Sequence, residues 1–178
     1  MLIYLALLDR EADRSKFEKI YRLYRSKMLH TANRILRDRS AAEDVTHQAF
    51  LKIIENIEKI GEVDCPKTQV FVVIIAEHLA INEYHRRRRH PAEELTEWTA
   101  GETGMTPERA VSGRETVGRA IAGLPPRERE VILLKYHVGY QTSEIAELLG
   151  VSEDAVRKAA ARGKKRLAEF LREEGIEV

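Results

Sequence analysis

TSEIAELLGVSEDAVRKAAARGKKR, residues Thr142 to Arg166, is the stretch on which the fold turns. It reads as a short helix, a tight turn and a longer basic helix. Thr142 or Ser143 caps the first helix. Glu144 stands in its first turn, where the positive end of the helix dipole favours an acid. Ile145 and Leu149 share one apolar face. Gly150 supplies the left-handed conformation that ends the helix sharply. Val151 fills the corner, and Ser152 caps the second helix with Glu153 and Asp154 behind it. Small Ala146, Gly150 and aliphatic Val156 have the spacing of a helix-turn-helix. Arg157, Lys158, Arg162, Lys164, Lys165 and Arg166 then line the second helix, as a helix lying in the major groove requires for phosphates and guanine edges. A solvated basic hairpin is the plainer alternative. The coincidence of spacing, caps and charge favours duplex DNA.

Composition narrows the class. Of 178 residues, 43% are hydrophobic and 33% charged, which suits a soluble helical protein of one large or two small domains. Net charge is only +1, so affinity for nucleic acid must come from local patches, at Arg86 to Arg89 and Arg157 to Arg166. Cys65 is the one cysteine, which excludes an internal disulfide and fits a reducing cytoplasm. No segment is long enough to span a membrane, and MLIYLALL reads as a packed first helix. The six histidines show no metal-ligand spacing, and no catalytic motif occurs, so neither an enzyme nor a cofactor is expected.

Upstream, Ser15 to Leu36 is a helix with Phe17, Ile20, Tyr21, Tyr24, Met28, Ala32 and Ile35 on one stripe. Ser40 and Glu43 form a capping box that starts the next helix, which runs to about Ile57. Val45, Ala49 and Ile53 mark its buried side; Asp44, Gln48 and Lys52 follow the same period on another. GEVDCPK, Gly61 to Lys67, is a loop. From Thr68 to Arg89 a buried helix is expected, despite β-branched residues that also suit a strand, ending in four consecutive arginines suited to a phosphate backbone. Residues 91–107 read as a linker containing Trp98. Val111, Val117, Ile121 and Leu124 then supply inward positions. Pro125-Pro126 opens a helix with Arg127 to Glu130 exposed and Val131, Leu134 and Val138 inward. The expected architecture is all-α: two small helical domains, 1–90 and 108–178, joined by a flexible linker at 91–107, the second domain a helix-turn-helix.

With both halves in view, the chain resembles the RNA polymerase sigma factors of the extracytoplasmic-function group. The resemblance rests on FEKIYRLYRSKMLHTANRIL, SAAEDVTHQAFLKI and LAINEYHRRRR in the first half. In the second it rests on GLPPREREVILLKY followed by SEIAELLGVSEDAVRKAAARGKKRL. It covers Ser15 to about Leu171. The chain departs from the common pattern at His78, Asn82, Asp154, Ala159 and Gly163; the last costs the helix about 1 kcal/mol against Ala.

The resemblance implies a non-enzymatic initiation factor that binds core RNA polymerase and directs it to promoters. The first half is similar to region two and the second to region four. Asp44, Gln48, Phe50 and Lys52 are then expected to meet the clamp helices of the largest polymerase subunit. Lys67, His78, Asn82, Arg86 and Arg87 are expected at the −10 element, where an unstacked base enters a pocket and cations hold the displaced strand. Arg157, Lys158, Arg162 and Lys165 would read the −35 duplex, with Thr142 and Ser143 on phosphates. The flap of the second-largest subunit is the other polymerase contact implied, and an anti-sigma factor is a further partner the group suggests. The free protein is expected to be a monomer. Two rivals stay open: a free-standing helix-turn-helix repressor, which binds duplex DNA alone as a dimer, and a helical protein that sequesters a regulator.

Overall fold

The structure, a computed structural model, describes residues 2–89 and 112–175. The expected linker 91–107, with Trp98, and Val111 lie outside them. The chain divides into two compact units, residues 1–98 and 99–178, and every regular element among the described residues is helical.

The first unit contains α1 (Leu2–Leu5), α2 (Glu11–Leu36), α3 (Arg39–Glu55), a 3-10 turn (Ile57–Lys59) and α4 (Pro66–Arg89). The helical stripe on α2 is inward as expected: Phe17, Ile20, Tyr24, Met28, Ala32 and Ile35 are all buried. α2 ends at Arg37, which takes the left-handed conformation at φ 51° and donates its N–H to the Asn33 carbonyl. That turn places Asp38, not Ser40, at the start of α3. Asp38 has the extended dihedrals of a cap and its carboxylate accepts from the Ala41 N–H at 3.2 Å. Ser40 is already helical, so the expected capping box does not form, and Glu43 pairs with Arg39 instead.

α4 packs on both α2 and α3. This explains why its first half is apolar all round. Phe71 to Ala76 are buried without exception, and burial against two helices overrides the strand preference of Val72, Val73, Ile74 and Ile75. Tyr4 fastens the N-terminal segment: its ring lies 5.3 Å from Phe17 and 5.6 Å from Phe50, and its hydroxyl bonds to His47 Nδ1. The N-terminal segment is therefore packed, through Tyr4 of α1 and Leu8 just beyond it, while Ile3 and Leu7 face solvent.

The second unit contains α5 (Ser112–Ala122), α6 (Pro126–Ile132), a π-helical continuation (Leu133–Val138), α7 (Thr142–Leu149) and α8 (Glu153–Glu173). Its core gathers Leu124, Val131, Leu134, Ile145, Leu149, Val156 and Ala159. Val117, expected inward, is 41% exposed; Ala120 fills the inward position. The larger correction concerns α6. Of the stretch expected to face solvent, Glu128, Arg129 and Glu130 are buried and only Arg127 is part-exposed. Arg129 reaches back to the Ala122 and Leu124 carbonyls, at 3.2 and 3.3 Å, and satisfies the open end of α5. Glu128 turns toward α8. A charged residue between two helices gains partners that a hydropathy pattern does not display.

The turn between α7 and α8 is as read. Gly150 sits at φ 63°, the Val151 N–H bonds to the Ala146 carbonyl, and Gly150 N–H bonds to Glu147. Ser152 accepts from the Ala155 N–H at 3.2 Å. The start of α7 is not: Gln141 occupies the cap position, and Glu144 accepts its N–H at 2.8 Å. Thr142 and Ser143 lie inside the helix.

Candidate nucleic-acid interface

α8 presents the expected cations to solvent, but none stands alone. Arg157 pairs with Glu153 at 3.1 Å, Lys158 with Asp154 at 2.8 Å and Lys165 with Glu169 at 3.8 Å. These are exposed pairs one helical turn apart, each worth a few tenths of a kcal/mol, and a phosphate displaces them readily. Arg162 differs. Its Nε lies 3.2 Å from the carboxylate of buried Glu128 on α6, and Arg166 reaches the same carboxylate at 3.0 Å. The Ala159–Ala161 run divides between two jobs: Ala159 and Ala160 are buried against the unit, and Ala161 is exposed.

Thr142 and Ser143 also part company. Ser143 is exposed, whereas the Thr142 hydroxyl accepts a hydrogen bond from Lys135 Nζ at 2.9 Å. Between α6 and the start of α8 lies a hollow of about 270 Å³. Val131, Val151, Ala155 and Val156 line it together with Arg127, Lys158 and Arg162. The Arg127 guanidinium lies 3.6 Å from the Glu130 carboxylate.

On the first unit, Lys67, Asn82 and Arg86 are exposed along α4. At 1.5 Å per residue, Lys67 and Arg86 are about 28 Å apart along the helix, a track rather than one pocket. His78 does not belong to its surface: it is 4% exposed and hydrogen-bonded to the Asn82 side chain at 2.9 Å. It supports Asn82 from beneath and cannot itself receive a base. Arg87 is corrected as well. Its guanidinium bonds to Asp38 at the start of α3 and to Glu83, both at 2.8 Å. It is a clasp between α4 and α3. Arg86 grips Glu83 through two nitrogens, at 2.7 and 2.8 Å. The Arg87 hydrogen bond, then the Ala41 N–H, hold Asp38 below the usual carboxylate range. Arg86, then Arg87, do the same for Glu83 against its partial burial. The run of four arginines is thus less cationic than it reads, because Asp38 and Glu83 fold back onto it.

On α3, Asp44 and Gln48 are exposed and Lys52 half-buried along one face. Phe50 is 1% exposed and packs against Tyr4, Phe17 and Tyr21 in the core, on the other side of the helix. It supports α3 from within and, contrary to the contact role expected of it, offers no surface to a partner. Sequence reading missed the contacts that Arg127, Glu128 and Glu83 make with neighbouring charges. The one signal available for them was the alternation of acid and base in RERE and in EYHRRRR, which gives no depth.

Among the described residues, no helix is long and apolar enough to cross a membrane. The Sigma-70 region 2 profile matches residues 20–90, and the Sigma-70, region 4 profile matches residues 114–167. Together they take in more than two thirds of the chain. Curated relatives include the ECF RNA polymerase sigma factor SigW of Bacillus subtilis, 29% identical over 92% of this chain and 93% of its own. RNA polymerase sigma factor CarQ of Myxococcus xanthus is 27% identical over 95% and 97%. Among solved structures, the sigma factor RpoE of Bartonella quintana, in complex with the anti-sigma factor NepR, aligns with TM-score 0.48 and 15% identity. The alignment covers 88% of this chain and 96% of that one.

Proposed function

The chain belongs to the sigma-70 family, in its extracytoplasmic-function group, and we propose how its two units divide the work of directing RNA polymerase to promoters. The observation that carries this division is that the two profiles fall in order on the two helical units, region 2 on the first and region 4 on the second.

In this reading the exposed Asp44–Gln48 stripe of α3, with Lys52 at its edge, docks on the clamp helices of the largest polymerase subunit. Acid and amide side chains at one-turn spacing supply orientation, and the buried Phe50 behind them keeps the helix rigid. Lys67, Asn82 and Arg86 form a track along α4 for the melted −10 strand. Asn82 is the base-contacting member, since His78 holds its side chain in place. The second unit reads the −35 duplex through Arg157, Lys158, Arg162 and Lys165, with Ser143, Arg127 and Thr142 near phosphates. The flap of the second-largest subunit is the further polymerase contact. An anti-sigma factor would cover these same faces.

The test is transcription in vitro from a genomic promoter library, with core polymerase alone as control. Discrete new starts that share two spaced motifs support this reading. Specific duplex binding without polymerase, and no new transcripts, would favour a free-standing repressor.

A further inference from the structure

We propose that Glu128 is a positioning residue for promoter recognition. Its buried carboxylate orients Arg162 of the recognition helix through a hydrogen bond, keeps Arg166 beside it as an ion-pair neighbour, and so converts their charge into sequence discrimination. The inference rests on the assignment of the second unit to the −35 duplex. Glu128 belongs to α6, outside the helix-turn-helix itself, and its side chain is 7% exposed. Arg162 donates its Nε–H to one carboxylate oxygen at 3.2 Å, whereas Arg166 Nε lies 3.0 Å from the other as an ion-pair neighbour without hydrogen-bond alignment, so that buried oxygen has no hydrogen-bond donor. The two arginine side chains are 59% and 57% exposed, so both stay within reach of DNA. They stand four residues apart, about 6 Å along the helix axis.

Gly163 lies between them and makes the arrangement possible. A Cβ there would stand 2.8 Å from Ile132 Cγ1 and 3.5 Å from Glu128 Cβ. The bare backbone lets α8 lie close on α6, within reach of the Glu128 carboxylate. The chemistry then follows from the charge balance. One carboxylate beneath two guanidiniums leaves a net single positive charge. Two free arginines would attract any phosphate more strongly, but each would have to be immobilised on docking. Held arginines forgo part of the unspecific attraction and enter the groove with their donors already directed.

The experiment uses the full chain with core RNA polymerase. Binding is measured across a salt series on a promoter fragment and on the same fragment with a scrambled −35 element. Glu128→Gln is expected to lower the ratio of the two affinities about tenfold, the worth of one oriented arginine contact. Binding to the scrambled fragment is expected not to weaken, and its salt slope to steepen by about one. Glu128→Asp, which keeps the charge, should restore part of the ratio. In a chain already carrying Arg162→Ala and Arg166→Ala, Glu128→Gln should change the ratio no further. A carboxylate that merely stabilises the unit would lower both affinities together and leave the ratio intact, which would overturn the proposal. So would an undiminished effect in the doubly substituted chain. If Glu128→Gln does not fold, the exposed Arg166→Gln is read instead: a fall in the ratio supports the proposal and an unchanged ratio overturns it. A wild-type holoenzyme that ignores the −35 element would sink the functional reading and this inference with it. A discriminating wild type matched by Glu128→Gln sinks the inference alone.

Discussion

Gly163→Ala is the substitution on which intrinsic helix preference and tertiary packing give opposite answers. By preference alone it stabilises α8 by about 1 kcal/mol, since glycine is the poorer helix former by that amount. The new Cβ, however, would lie 2.8 Å from Ile132 Cγ1 and 3.2 Å from Ile132 Cδ1. Carbon atoms in contact rest at about 3.5–4.0 Å, so the methyl overlaps the middle of a buried side chain that is 4% exposed. Overpacking of this kind costs about 1–3 kcal/mol. The net expectation is a loss of up to about 2 kcal/mol, with α8 displaced from α6. Reversible denaturation of the full chain, followed by circular dichroism, measures it. The decisive form is a double-mutant cycle with Ile132→Ala, which removes both clashing carbons. In that background Gly163→Ala should become stabilising by about 1 kcal/mol, reversing its sign. A stabilising effect in the wild-type background, or effects that add to within about 0.5 kcal/mol, would refute the reasoning.

Three further outcomes are expected. Asp44→Lys should leave the melting temperature unchanged and weaken binding to core polymerase by about tenfold, because a rim charge is reversed without touching the core; full binding would remove α3 from the interface. Arg86→Ala should lower the salt slope of promoter binding by about one at unchanged stability, whereas Arg87→Ala should destabilise the first unit by releasing α4 from Asp38; equal stability for both variants would dissolve the clasp. The folded-state pKa values of Asp38 and Glu83 are depressed from 3.8 and 4.5, so their contribution is complete above those values and is lost as pH falls through the lower folded ones. Acid titration of stability should therefore show a limb below about pH 4 that Arg87→Ala flattens; an identical limb in the variant would assign it to other groups.

Most of the local structure follows from short-range rules and was legible residue by residue. The stripe from Phe17 to Ile35 has the helical period, and all of it is buried except Tyr21, which is half-buried. Gly150 and Ser152 have one inexpensive use each, a left-handed turn and a cap, and each is used that way. The helix-turn-helix and the all-helical class are consequences of such spacing. The errors have a common cause. Ser40, Thr142 and Ser143 are all capable caps, and the cap is chosen by where the chain takes extended dihedrals, a choice that fell to Asp38 and Gln141.

Depth and partnership were decided only by tertiary structure. Phe50 and Gln48 stand two residues apart on one helix, and only packing against Tyr4, Phe17 and Tyr21 puts the first in the core while the second faces solvent. RERE reads as a solvated helix start until α5 and α8 close over it and give Arg129 two carbonyls and Glu128 two arginines. EYHRRRR reads as a bare positive tip until Asp38, 49 residues earlier in the chain, accepts one of the guanidiniums. Apolar periodicity is a property of one helix and is written in its own residues. The partner of a charge is a property of two, because an ion pair forms wherever folding brings a carboxylate within about 3 Å, whatever the distance along the chain. The sequence by itself therefore determined which helices form and which family they make. The tertiary structure decided which of its cations pair only with a neighbour on their own helix and which are held by a carboxylate from another helix.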